Sequence, residues 1–162
     1  MSIRTSRKAG PDTRAVATLA GVLLVAIAVL LAVGVATAAF DEPTEPAPTA
    51  VISLSAEGDR LVLLHEGGEP IDVQELTVRV WVNGDSLARQ PSVPFFSAAG
   101  FRPGPTGPFN AASGDEWIVG DEASVRIAGT NDPTPRPGDR VEVRLSVRGQ
   151  PIASMATTVE PG

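Results

Sequence analysis

Leu76-Thr77-Val78-Arg79-Val80-Trp81-Val82 alternates residue by residue, with Leu76, Val78, Val80 and Val82 on one side and Thr77, Arg79 and Trp81 on the other. Successive side chains of an extended chain point to opposite faces, so this pattern predicts a strand with one face on a core and the other toward solvent. Asn83-Gly84 follows at once, the pair that best tolerates the left-handed backbone of a tight hairpin turn. The same rhythm returns at Val141, Val143, Leu145 and Val147, with Arg140, Glu142, Arg144 and Arg148 turned outward. Shorter runs at 51–55, 60–64, 93–96, 123–128 and 152–159 add five more candidate strands. Gly120-Asp121 and Gly138-Asp139 precede two of them and read as turn chemistry rather than as a repeat. Many short strands punctuated by Gly, Pro and Asn-Gly predict a mainly β domain over residues 50–162, an antiparallel sandwich of the immunoglobulin-like kind.

One segment breaks the rhythm. Residues 97–116 hold four glycines, at 100, 104, 107 and 114, three prolines, at 103, 105 and 108, and the aromatic residues Phe101 and Phe109. A loop this long inside a small domain calls for a reason. It is either a contact surface anchored by its phenylalanines or a flap that they tuck onto the core, and the second reading is favoured.

Upstream of the β region, residues 41–49 (DEPTEPAPT) alternate proline with polar residues. Proline withholds amide donors and favours an extended spacer of about 3 Å per residue, roughly 25–30 Å in all. Before this stalk, Ala15 to Phe40 runs 26 residues without a charge, a carboxamide or a proline. A helix needs about 20 apolar residues to cross a bilayer, whereas the core of a cleavable secretory signal has about 7–15. A membrane-spanning helix is therefore expected. Arg4, Arg7, Lys8 and Arg14 precede it and Asp41, Glu42 and Glu45 follow it, which places the N-terminus in the cytoplasm and the β domain outside. Along the helix, Ala17 and Gly21, Ala28 and Ala32, and Ala32 and Ala36 stand four apart, a spacing of small residues that lets helices approach closely.

The junction reads Asp12-Thr13-Arg14-Ala15-Val16-Ala17-Thr18-Leu19-Ala20-Gly21. A short basic leader, a charged residue, a small residue and an immediate apolar helix resemble a class III, prepilin-type signal. The chain is similar there to the archaeal type IV pilin N-terminal domain family, common in halophiles. His65-Glu66-Gly67-Gly68-Glu69-Pro70-Ile71-Asp72, Gly107-Pro108-Phe109-Asn110 and Trp117-Ile118-Val119-Gly120-Asp121 resemble segments found behind such leaders. The resemblance implies a leader over residues 1–15, a cut by prepilin peptidase between Ala15 and Val16 beside Arg14, and a retained helix over 16–40. That helix would sit first in membrane lipid and then against identical helices at a filament core. Two departures stand out: Ala17-Thr18 replaces the Ser-Pro frequent in that family, and Ala20 replaces the glutamate of bacterial pilins. Two rival readings remain. One is a tethered binding module that never polymerises. The other is a secreted domain cut after Ala36-Thr37-Ala38.

Charge and composition narrow the function classes. From Asp41 onward there are 9 arginines, no lysine and 18 acidic residues, a balance of 9 − 18 = −9. Such a surface does not suit nucleic acid, whose phosphates need cationic patches. Arginine as the sole cation fits either very salty water or a GC-rich genome. The chain has no cysteine, so neither disulfides nor thiolate chemistry enter. A single histidine, His65, beside Glu66 at a strand end, reads as a surface residue rather than a catalytic base, and one histidine without cysteine makes a poor zinc site. There is no Gly-x-Ser-x-Gly elbow and no Asp-x-Asp-x-Asp-Gly calcium loop. Residues 100–104 (GFRPG) resemble a phosphate cradle only loosely, because the proline lacks a donor. Neither a cofactor nor an enzymatic activity is expected.

Overall fold

The computed structural model describes residues 45–162. The described residues form nine strands: β1 (Ala50–Glu57), β2 (Arg60–Gly68), β3 (Ile71–Asp72), β4 (Leu76–Val82), β5 (Asp85–Ser86), β6 (Glu116–Trp117), β7 (Glu122–Arg126), β8 (Arg140–Val147) and β9 (Gln150–Thr158). Their ladders are antiparallel, in a three-stranded sheet β1-β2-β7, a four-stranded sheet β5-β4-β8-β9 and a two-stranded β3-β6 pair. The domain is mainly β; one 3-10 turn, Gly107–Phe109, is the helical element among the described residues.

The alternation of β4 and β8 explains their pairing. Leu76 lies opposite Val147, Val78 opposite Leu145, Val80 opposite Val143 and Val82 opposite Val141, and all eight are buried. A slip of one residue would turn this whole set to solvent, so the register is strongly specified. On the outer face Arg79 lies opposite Arg144, a repulsive pairing. Arg144 turns aside to put its guanidinium 4.7 Å from the Trp81 ring centre and 2.7 Å from Glu142. The second wall of the core comes from β2 and β7, where Leu61 faces Val125 and Leu63 faces Ala123, joined by Ile52 and Ala56 of β1.

The exposed sheet edges are handled individually. Beyond β5, the Gln90 carboxamide accepts from the Val80 amide at 2.7 Å and donates to its carbonyl at 3.0 Å, replacing a neighbouring strand. Along β7 runs the 97–116 loop: Phe101 bridges Ile127 and Thr106 bridges Ser124, and Arg102 donates its amide to the Arg126 carbonyl at 2.8 Å. Phe101 and Phe109 are both buried, so the phenylalanines tuck the loop onto the core. Gly107 makes the close seat possible. It has φ +61°, and a β-carbon there would lie 2.0 Å from the Glu122 carbonyl oxygen. At the far end of β1, Glu160 donates its amide to Ala56 and accepts from Gly58, both at 2.9 Å, tying the C-terminal tail to the other sheet.

Three expectations need correction. Residues 93–96 form no strand: only Phe95 makes a bridge, to Asn110, because Pro91 and Pro94 deny the segment a regular ladder. His65 is not at the surface. It is completely buried within β2. The last stalk residues are not a free spacer either, since Pro46 accepts from Arg148 at 3.1 Å, and Thr49 and Glu69 exchange backbone and side-chain bonds at 2.8 Å. Short strands β3, β5 and β6 carry no periodic signal and are absent from the sequence reading.

Candidate functional site

The most chemically organised surface feature lies where β2, β7 and the long loop meet. Arg60 opens β2, Arg126 closes β7, and the β2–β7 register sets them directly opposite each other. Arg102 joins them from the loop, brought in by its amide bond to Arg126. Together with Pro103, Gly104, Pro105, Thr106 and Ser124 they line a groove of about 430 Å³.

The guanidinium groups are held rather than loose. Asp59, in the β1–β2 turn and largely covered, receives Arg102 at 2.6 Å and Arg126 at 3.0 Å. Arg60 reaches Glu122 at 3.3 Å and the Ser124 hydroxyl at 3.3 Å. The Ser124 and Thr106 hydroxyls are 2.6 Å apart. Glu57, exposed and directly cross-strand from Arg60, adds a third carboxylate, so the three arginines form a charge-balanced cluster within a domain that is acidic overall. Each guanidinium is half-exposed, so planar donor edges remain available to an incoming oxyanion, the geometry that favours carboxylates.

A second cluster is structural. His65 Nε2 lies 3.1 Å from the Glu69 carbonyl, while its Nδ1 is buried without a hydrogen-bond partner. Trp117 packs against both His65 and Phe109, at centroid distances of 5.8 and 5.2 Å, and donates its indole N–H to Asp121. Among the described residues no nucleophile or carboxylate side chain is hydrogen-bonded to the imidazole, whose ring packs edge-on against the Trp117 indole. Among the described residues no group of three His, Asp or Glu side chains is placed to hold a metal ion.

The residues singled out from sequence lie elsewhere. Arg14, Ala15 and Val16 at the processing junction, and Ala17, Gly21, Ala28, Ala32 and Ala36 on the apolar segment, fall outside the described residues. The arginine groove was not foreseen. Arg60 and Arg126 are 66 positions apart, and only the β2–β7 register brings them together; the one local signal was an arginine in a Pro/Gly-rich loop.

No protein-family model matches the chain, and no curated protein is significantly similar to it. The domain is thus defined by its own architecture: a mainly β, antiparallel domain with a single core and an arginine-lined groove at one end.

Proposed function

We propose that the chain is a pilin-like structural subunit of an archaeal type IV pilus-like surface filament, with an immunoglobulin-like β-sandwich as its outward head. The observation that carries this reading is the junction Arg14-Ala15-Val16, set directly against an uncharged run that continues to Phe40. Prepilin peptidase would cut after Ala15 and leave the helix intact. A helix of this kind leaves lipid for helix–helix packing without a hydrophobic gain, so close approach at Ala17, Gly21, Ala28, Ala32 and Ala36 would supply the preference. A repeated head-to-tail contact that does not close then produces a polymer. The β domain supports the reading as a compact head with a self-contained core spanning 52–159.

The experiment is to replace Arg14 and Ala15 together and follow processing and surface filaments by electron microscopy. Uncut protein that stays in the membrane fraction without filaments is the expected result. Normal filaments built from uncut chains would sink the proposal.

The second reading, a membrane-tethered binding module that does not polymerise, is favoured by one observation. The loop-built arginine groove resembles a binding surface more than a passive coat. Cells that cut the leader normally yet show no filaments, with the protein dispersed in the membrane, would support this alternative.

A further inference from the structure

β5 covers only the last two residues of β4: Trp81 pairs with Ser86 and Val82 with Asp85. Successive residues of a strand turn their backbone groups to opposite sides, so Val82, Val80, Val78 and Leu76 all address the edge away from β8. Val80 shows the direction, since its amide and carbonyl meet the Gln90 carboxamide and its carbonyl also takes the Leu87 amide at 3.1 Å. One step further the cover ends. Among the described residues no group is hydrogen-bonded to the amide or carbonyl of Val78, or to the carbonyl of Leu76. Backbone groups left so inside a folded domain are uncommon.

These groups face a groove of about 340 Å³, with residues 76–79 of β4 on one side and 90–93 on the other. The side chains of Leu76 and Val78 lie in the core, so what they offer the groove is backbone. The opposite wall does not complete the sheet, because Pro91 has no amide to donate. Arg79 is the one ionisable residue of the lining. It is exposed, makes no ion pair among the described residues, and lies opposite Arg144. The carboxylates beside it are engaged, Glu75 by Arg148 and Glu142 by Arg144. Asp85, opposite Val82, and Asp132, joined through its carbonyl to Ala88, lie outside the lining.

We infer that this groove is a docking site for an extended, acidic peptide segment of a partner protein, which adds a short strand to the free edge of β4 and sets a carboxylate against Arg79. An added strand presents an N–H and a C=O on the same side of every second residue, the pair that Val78 lacks. Gln90 makes that same pair of bonds to Val80 with its side chain, so the edge already accepts a stand-in for a strand one step along. A carboxylate beside Arg79 also offsets its like-charge pairing with Arg144. The site serves a filament subunit and a tethered module alike.

The full-length chain, ¹⁵N-labelled in detergent micelles, is titrated with two capped peptides, acetyl-TVEVT-amide and acetyl-TVKVT-amide. The glutamate peptide is expected to shift the amide resonances of Val78, Ser92 and Val93 and to slow exchange of the Val78 amide at least about tenfold, while Val143 on β8 stays unmoved. Half-saturation should fall at least about threefold lower for the glutamate peptide than for the lysine peptide. Arg79→Glu, which faces Arg144 and so keeps a favourable cross-strand pair, should invert that order. A Val78 amide that neither shifts nor slows at about 5 mM of the glutamate peptide would overturn the site. Equal responses to the two peptides, or an order indifferent to Arg79→Glu, would overturn the acidic occupant.

Discussion

The indole of Trp117 stands edge-on to the imidazole of His65, with ring centres 5.8 Å apart and planes inclined at 65°. Both residues are completely buried, and the pair closes the core where β3 and β6 meet the end of β2. Trp117→Ala removes the largest buried side chain of the domain and leaves the Asp121 carbonyl with the His65 amide as its remaining donor. A loss of about 3–5 kcal/mol is expected, read as a shift in the urea midpoint of the folded domain. Trp117→Phe keeps most of the volume and loses one of the two hydrogen bonds to the Asp121 carbonyl, so it should cost about 0.5–1.5 kcal/mol.

Asn131 is buried and saturated. Its side-chain oxygen accepts from the amides of Arg89 and Asp132, and its amide donates to the carbonyls of Arg89 and Gly100. Asn131→Leu would leave several of these groups buried and unpaired, with an expected cost of at least about 2 kcal/mol and faster amide exchange at Arg89. Asn131→Asp retains the accepting oxygens and loses the donors, and should fall between the variant and the parent.

The seat of the long loop on β7 depends on Gly107. Gly107→Ala drives a β-carbon against the Glu122 carbonyl, in a backbone region that alanine rarely adopts. The expected outcome is a loss of about 2–3 kcal/mol, with exchange protection lost first at Thr106 and Ser124, whose amides bond each other's carbonyls at 3.0 and 3.2 Å. Unchanged protection at both amides would contradict the seating described.

Acid should act on the turns at the end of β4 and before β8. The Asp139 carboxylate is held below its ordinary value of 3.8, first by the Asn83 side-chain amide, then by the Arg136 backbone amide and the Arg136 charge, against a small opposing effect of burial. A carboxylate with a lowered folded pKa stabilises the fold above its unfolded value, and that stabilisation is lost as pH falls through the folded pKa. Asp139→Ala should therefore be less stable than the parent at neutral pH. The two urea midpoints should converge below about pH 4.

Much of the domain was legible because two physical rules apply locally. The register of β4 on β8 follows from strict alternation, and Asn83-Gly84 turns the chain with φ +53° and +90° as that dipeptide permits. The phenylalanines of the 97–116 loop are buried for the ordinary reason that large apolar rings leave water. Other features depended on long-range pairing. His65 alternates with Leu61 and Leu63 on the inward face of β2, yet a polar residue beside Glu66 reads as exposed until Trp117 is known to cover it. Residues 93–96 have an apolar, aromatic composition suited to a strand, but Pro94 within them and Pro91 just before prevail. The arginine groove joins residues from β2, β7 and a loop, and no local pattern in any of the three announces the other two.

The most direct test of the filament-subunit account is the N-terminal residue of the mature protein taken from its native cell surface. Val16 is the predicted result, from cleavage after Ala15 with the apolar segment retained. An N-terminus at Ala39, or an intact leader beginning at Met1, would contradict it.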